Sequence, residues 1–226
     1  MGTQRNWEKL FISLVIRMIT LIKLYDGIVV IVSLLTISLL ASYIRKFSVD
    51  SYAIAISIKF AKFIDSGITF IGVIHHELSH ILLALLTGAR IKNFKLFKLF
   101  GDTLGEVNII PRGNVIFRSI QLTASAIAPV ICGSISIYLI YKHLGLNIIT
   151  LILITNIAYH MTLSKQDINA AFKGSIMTIL LFFIIFYFID INILIYIGAV
   201  KIILTILGIN FIIALLFRLV YMIRKK

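Results

Sequence analysis

Apolar segments of membrane-spanning length follow one another along most of this 226-residue chain, each fenced by basic residues or by a turn. Hydrocarbon offers no water to a bare N–H or C=O, so such segments must satisfy their own backbone, as helices do. The expected spans are Ile28 to Ile44, Gly67 to Thr87, about Ser119 to Tyr141, Ile148 to His160, Ile168 to Ile189 and Ile191 to Phe217. Sixty per cent of the residues are hydrophobic, 14% are charged and two are proline, with a mean hydropathy of +1.06. A soluble domain carries about twice that charge fraction. The pattern predicts an all-α polytopic membrane protein of about six spans. With no internal repeat and no low-complexity linker, residues 1–226 read as a single membrane-embedded domain.

The formal net charge of +13 raises the question of nucleic acid, but the basic residues sit at the ends of apolar segments. That placement is a signature of membrane orientation, and it excludes a nucleic-acid partner in favour of the lipid bilayer. Placing both termini in the cytoplasm puts sixteen of the 22 basic residues on that side, with Arg45, Lys46, Lys59, Lys62 and Lys142 outside. The isoleucine- and lysine-rich usage points to a bacterial cell membrane. Lys9, Ser13, Arg17, Thr20 and Lys23 form one helical stripe, so residues 7–24 read as an amphipathic interfacial helix, ended by Asp26-Gly27. A cleaved signal is not expected, because Arg17 interrupts the first apolar run and no small-residue cleavage site follows. Ser51 to Ile64, interrupted by Lys59 and Lys62, reads as a second surface-lying helix. Between Gly88 and Arg118 the pattern changes to short aromatic and β-branched runs with turn residues, read as a β-like loop, although the spacing of three between Lys92, Lys95 and Lys98 also fits a helix. Cys132 is alone in the chain, cannot form an internal disulfide, and reads as a small buried apolar residue.

Residues 75–80 read His-His-Glu-Leu-Ser-His inside the second span. H-E-x-x-H on a helix places His76 and His80 one turn apart on one face, the spacing of two zinc ligands, with Glu77 beside them as general base. Ionisable groups in a span are costly and by default mark function. The chain has only five histidines, which makes chance adjacency in this order a poor account. His80 lies seven residues from the inner end of the span, ~10 Å below the cytoplasmic surface.

A catalytic zinc site takes three protein ligands and keeps one position open for water. Of the nine acidic residues, Asp26, Asp50, Asp65 and Asp190 flank spans, while Asp102 and Glu106 lie in the long loop. Asp167 stands at the head of a span on the inner side, in Ser164-Lys165-Gln166-Asp167, a capping-box-like start. It is the preferred third ligand, with Glu106 and Asp102 as alternatives. Asn156 and His160, four apart on one helix face, are candidates for substrate contact or for orienting a ligand. His75 points a quarter-turn away from His76 and reads as a contact to a neighbouring helix or as a residue that orients a ligand, rather than as a ligand.

A membrane-embedded His76-Glu77-Leu78-Ser79-His80 followed by a distant Asp at the start of a later span resembles the site-2 protease family of intramembrane zinc metallopeptidases. The likeness covers His75 to Ala89 and about Asn156 to Gly174. It departs in its third-ligand motif, Gln166-Asp167-Ile168 where the family usually has Asp-Gly after a leucine, and it has no segment long enough for a PDZ domain. The resemblance implies one Zn2+ per chain on His76, His80 and Asp167, with Glu77 as the catalytic base of a zinc metalloendopeptidase. The implied substrate is a membrane-anchored protein or peptide precursor, cut in or near its transmembrane segment. A strand-like loop over 91–110 would hold the unwound substrate by strand addition. A CAAX-type membrane protease is a lesser enzyme reading. The competing class is a non-enzymatic membrane protein, for metal or peptide transport or immunity, whose histidines form a metal or proton site. A transport site gains little from a carboxylate such as Glu77 that is not itself a ligand.

Overall fold

The computed structural model describes residues 2–98, 104–174 and 193–225. Helix α1, Gly2–Ala55, is followed by a short α2, Ile58–Lys62, a π-helical turn, Phe63–Ile68, and α3, Phe70–Leu86. Strands β1, Arg90–Lys95, and β2, Glu106–Ile110, pair antiparallel from Arg90 opposite Ile110 to Lys95 opposite Glu106, with an irregularity between Ile91 and Asn93. Helices α4, Val115–Leu144, and α5, Ile148–Tyr159, come next. Then α6 occupies 165–174, and α7 is Ile193–Arg224.

Among the described residues three helical stretches, Thr20–Ala55, Val115–Leu144 and Tyr196–Arg224, are long and apolar enough to cross a membrane, and a fourth span results if α2, the π turn and α3 count as one, bent by 57°. Six spans are therefore not shown. Helix α5 has 12 residues, a length of ~18 Å at helical rise against a hydrocarbon core of ~30 Å, so the expected span Ile148 to His160 is too short to cross. The expected span Ile168 to Ile189 has its first residues in α6, and those from 175 lie outside the described ones. Where sequence punctuation predicted a break at Asp26-Gly27, α1 runs through. One glycine inside a helix costs about 1 kcal/mol, less than leaving backbone groups unpaired in an apolar setting. Residues 7–24 are consequently the leading part of α1 rather than a separate helix. The lysine-interrupted stretch 51–64 divides among the end of α1, α2 and the π turn. The strand-like reading of the long loop is met by β1 and β2.

Local sequence explains the helix starts. Ser57 accepts from Phe60 N at 3.1 Å and Asn114 from Phe117 N at 3.0 Å, while Asn147 and Thr150 form a reciprocal capping box on α5. Gly88, at φ 86°, ends α3 in the left-handed region that favours glycine.

Helices α1 and α7 form a long seam. Ser33 bonds Tyr196, Ile37, Ala41 and Ile44 share a core with Ile203, Ile206 and Leu207, Phe47 packs on Phe211, and Tyr52 meets Phe217 edge-on. Position numbers rise together along both helices, so the two run parallel. The N-terminal end of α1 and the C-terminal end of α7 therefore stand at opposite ends of the bundle.

The parallel seam predicts the labelling of the two chain ends. In a Cys132→Ser background, single cysteines at Gln4 and at Lys225 should differ in reaction with a membrane-impermeant thiol reagent on intact cells. One should label at once and the other only after permeabilisation. Equal labelling of both would show that α1 and α7 do not cross in the same sense.

Candidate metal centre

Helix α3 carries His76, Glu77 and His80, and its packing against α4 and α5 decides what the two imidazoles can do. Gly72 makes the close approach of α5 possible, since a Cβ there would lie 2.1 Å from the Asn156 carbonyl oxygen and 2.6 Å from the His160 ring. That contact brings the His160 carbonyl to 2.8 Å from His76 Nδ1. On the other side, His80 Nδ1 lies 2.7 Å from the carbonyl oxygen of Ser125 in α4, and the Ser125 hydroxyl donates back to the His80 carbonyl at 3.1 Å.

Both of these carbonyls lack a helical donor, each for its own reason. Residue 129, four places after Ser125, is proline, which has no N–H and whose ring crowds the carbonyl of the residue four before it. Pro129 thus releases the Ser125 oxygen for His80. His160 caps the C-terminus of α5, where the last carbonyls have no partner within the helix.

A carbonyl oxygen only accepts, so each histidine donates from Nδ1. A neutral ring that donates from Nδ1 carries a lone pair at Nε2. The two Nε2 atoms face one another at 3.1 Å, and Asp167 Oδ1 is 3.8 Å from His80 Nε2. One ligand atom from each of His76, His80 and Asp167 lies within 4.8 Å of the other two. Three lone pairs pointed at one another with no proton between them repel, and a divalent cation among them reverses the sign. Tetrahedral zinc with Zn–N of ~2.0–2.1 Å has an N–N edge on the order of 3.3 Å, close to the separation of the two nitrogens. The donor set fits a metal of that kind.

Asp167 serves two ends at once. Its Oδ2 accepts from Ser164 N at 2.9 Å and its own N–H donates to Ser164 Oγ at 3.1 Å, the reciprocal capping box read from the sequence. With one oxygen held at the helix start, the other is directed at the histidines. The alternatives fare differently. Glu106 is exposed on β2 and accepts from Asn108 Nδ2 at 2.7 Å, and Asp102 lies outside the described residues.

Glu77 is 7% exposed, and the loop before β2 lies against it, since a Cβ at Gly105 would come within 2.5 Å of its Oε1. His76, Glu77, Gly105 and His160 line a cavity of about 630 Å³ that extends to Arg45 and Asp65. Those two form a paired contact, Nε to Oδ1 at 2.8 Å and a second nitrogen to Oδ2 at 3.0 Å. Lys46, Asp50 and Lys62 stand exposed along the same cavity. The sequence led us to expect Arg45, Lys46 and Lys62 outside the membrane, and Ser164 shares the cavity wall with them. The Asn156 side chain is not brought to His76, His80 and Asp167. It donates to Ile152 O at 3.0 Å, and the residue touches α3 through its carbonyl oxygen. His75 reaches Ser136 of α4 at 2.9 Å, the neighbour-helix contact expected of it. Ser125, Pro129, Gly105 and Thr69 went unnoticed in the sequence. Only Pro129 carried a signal, a proline within a span.

No family model matches the chain, and no curated protein or solved structure does so either.

Pro129→Ala restores an N–H that draws the Ser125 carbonyl back toward the helix axis. Metal affinity, measured by competition with a chromogenic chelator, should fall about tenfold, the low end for loss of an outer-shell partner. An unchanged affinity would mean that the proline is not what frees this carbonyl.

Proposed function

We propose that this chain is an intramembrane zinc metalloprotease that hydrolyses a peptide bond in or near the transmembrane segment of a membrane-anchored protein or peptide precursor. One zinc per chain would be held by His76 Nε2, His80 Nε2 and Asp167 Oδ1. The observation that carries the proposal is the convergence of two proton-free imidazole nitrogens on a carboxylate, one residue from an otherwise uncommitted glutamate. When bound, zinc supplies Lewis acidity, which polarises a carbonyl and acidifies water.

Glu77 is the group placed for proton transfer. Its carboxylate takes a proton from the attacking water and delivers it to the leaving amine as the C–N bond breaks. Asp167 and the two histidines, each tied to a backbone group, keep their lone pairs fixed in direction. The charged wall formed by Arg45, Asp65, Lys46 and Lys62 keeps the cavity wet, so water reaches a site set among apolar helices. A helical substrate must unwind to expose a scissile bond, and the two-stranded sheet offers an edge to which an extended segment could add. The likeness to site-2 proteases in the H-E-x-x-H span and the later Asp supports the same reading.

The test separates metal from chemistry. His76→Ala, His80→Ala and Asp167→Ala should each lose zinc on purification, whereas Glu77→Gln should keep one per chain and slow cleavage by roughly 10²–10⁴-fold. Comparing the N-termini of membrane proteins in cells carrying wild type or Glu77→Gln would reveal the products. If the two cell types yield the same fragments, the chain is not a protease, and a metal or peptide transport role takes its place.

Gly105→Ala gives a second expectation. The added methyl displaces the Glu77 carboxylate, so cleavage should drop while zinc content stays at the wild-type value. Full activity in this variant would show that the loop can withdraw freely from Glu77.

A further inference from the structure

His160 contributes its backbone carbonyl to His76, and the side chain is left to account for. The Thr69 hydroxyl has one proton, and it donates this to the Asp65 carbonyl at 2.7 Å. Thr69 Oγ1 is also 2.7 Å from His160 Nε2, so here the hydroxyl accepts and the ring donates. The neutral imidazole must then carry its lone pair on Nδ1. The Cδ2 edge of the ring is closed off by Gly72 of α3. His160 is nevertheless a wall of the 630 Å³ cavity, and the Nδ1–Cε1 edge is the one that remains to face it. Among the described residues nothing donates to that nitrogen. A residue 3% exposed, locked on one side by Thr69 and on another by α3, thus presents a fixed acceptor beside the metal ligands.

An unwound peptide brings two kinds of backbone group into such a cavity. Its carbonyls find donors in Arg45, Lys46 and Lys62 along the wall. Its N–H groups need acceptors. The Asp65 carboxylate is already engaged by Arg45, Asp50 stands exposed at the far end, and Glu77 is assigned to proton transfer. We propose that His160 Nδ1 accepts a backbone N–H of an extended peptide substrate and so fixes the register of the chain at the metal centre. This rests on the metalloprotease reading, and it makes His160 a substrate-binding residue rather than a ligand or a base. The recognition is of main chain, so it selects for an unwound conformation and not for a side chain.

The test uses full-length, zinc-loaded protein in detergent and three probes: acetohydroxamate, N-acetyl-trileucine hydroxamate, and the same tripeptide with its amide nitrogens methylated. His160→Phe keeps a ring in place but has no acceptor, and His160→Asn returns a polar atom near the Nδ1 position. His160→Phe should raise the Kd of the tripeptide about tenfold, within the range of one lost hydrogen bond. It should leave the Kd values of acetohydroxamate and of the methylated tripeptide unchanged, with zinc content constant. His160→Asn should recover most of the tripeptide affinity. Equal Kd for the tripeptide in wild type and His160→Phe, or equal weakening of all three probes, overturns the assignment while leaving the metalloprotease standing. Failure of acetohydroxamate to bind the zinc-loaded wild type removes the metalloprotease reading and this inference with it.

Discussion

Two backbone carbonyls without helical donors hold the centre of this molecule in place. One is made by a proline inside α4, the other by the end of α5, and each captures the Nδ1–H of a histidine one turn from its neighbour on α3. If either were satisfied by its own helix, a ring would lose its reason to prefer one tautomer, and Nε2 could as readily carry a proton as a lone pair. Gly72 belongs to the same device, because only a residue without a side chain lets α5 come near enough for its last carbonyl to reach His76. Three helices are thereby tied together at the point where their polar groups are most exposed to an apolar surrounding.

What was legible in the sequence, and what was not, follows from the range of the interactions concerned. H-E-x-x-H is local, so the facing of His76 and His80 could be read from helical periodicity alone. The Ser164–Asp167 box is local too, and it forms as read, but the sequence offered capping and ligation as rival accounts of Asp167. In the structure one oxygen makes the cap and the other lies 3.8 Å from His80 Nε2. The strands flanking 96–105 were readable from turn chemistry and β-branched runs. Long-range facts were not. Nothing near Ser125 in sequence says that its carbonyl meets a histidine 45 residues away. Nor does a glycine in a loop announce that it abuts Glu77. The break expected at Asp26-Gly27 failed because turn preferences are weak beside the need to pair backbone in an apolar setting.

The charged residues around Arg45 and Asp65 show a further limit of sequence pattern. Basic residues at the end of an apolar run are usually loop residues that orient a membrane protein. Here α1 does not end at Arg45 but carries it onward, facing α3, α5 and the π turn, where Asp65 neutralises it. A pair of charges buried among helices is weak support for stability, since desolvation offsets much of the attraction. Its evident service is to line a polar cavity reaching His76 and Glu77. The π turn that bears Asp65, a rare form seen often at functional sites, turns the carboxylate toward α1.

The brevity of α5 has a consequence for the lipid itself. Its outer residues Ile148, Ile149, Leu151 and Ile152 are exposed and apolar, so acyl chains must meet a helix of 12 residues. A bilayer that borders a hydrophobic surface shorter than its own thickness deforms to match, at a fraction of a kcal/mol per Å. A bilayer matched to so short a helix would be thinned beside α5, with its water boundary displaced toward the end where His160 stands. A span lying in such a dimple would lose part of its hydrocarbon cover. Its helix would be loosened there by the lipid, before any contact with this chain.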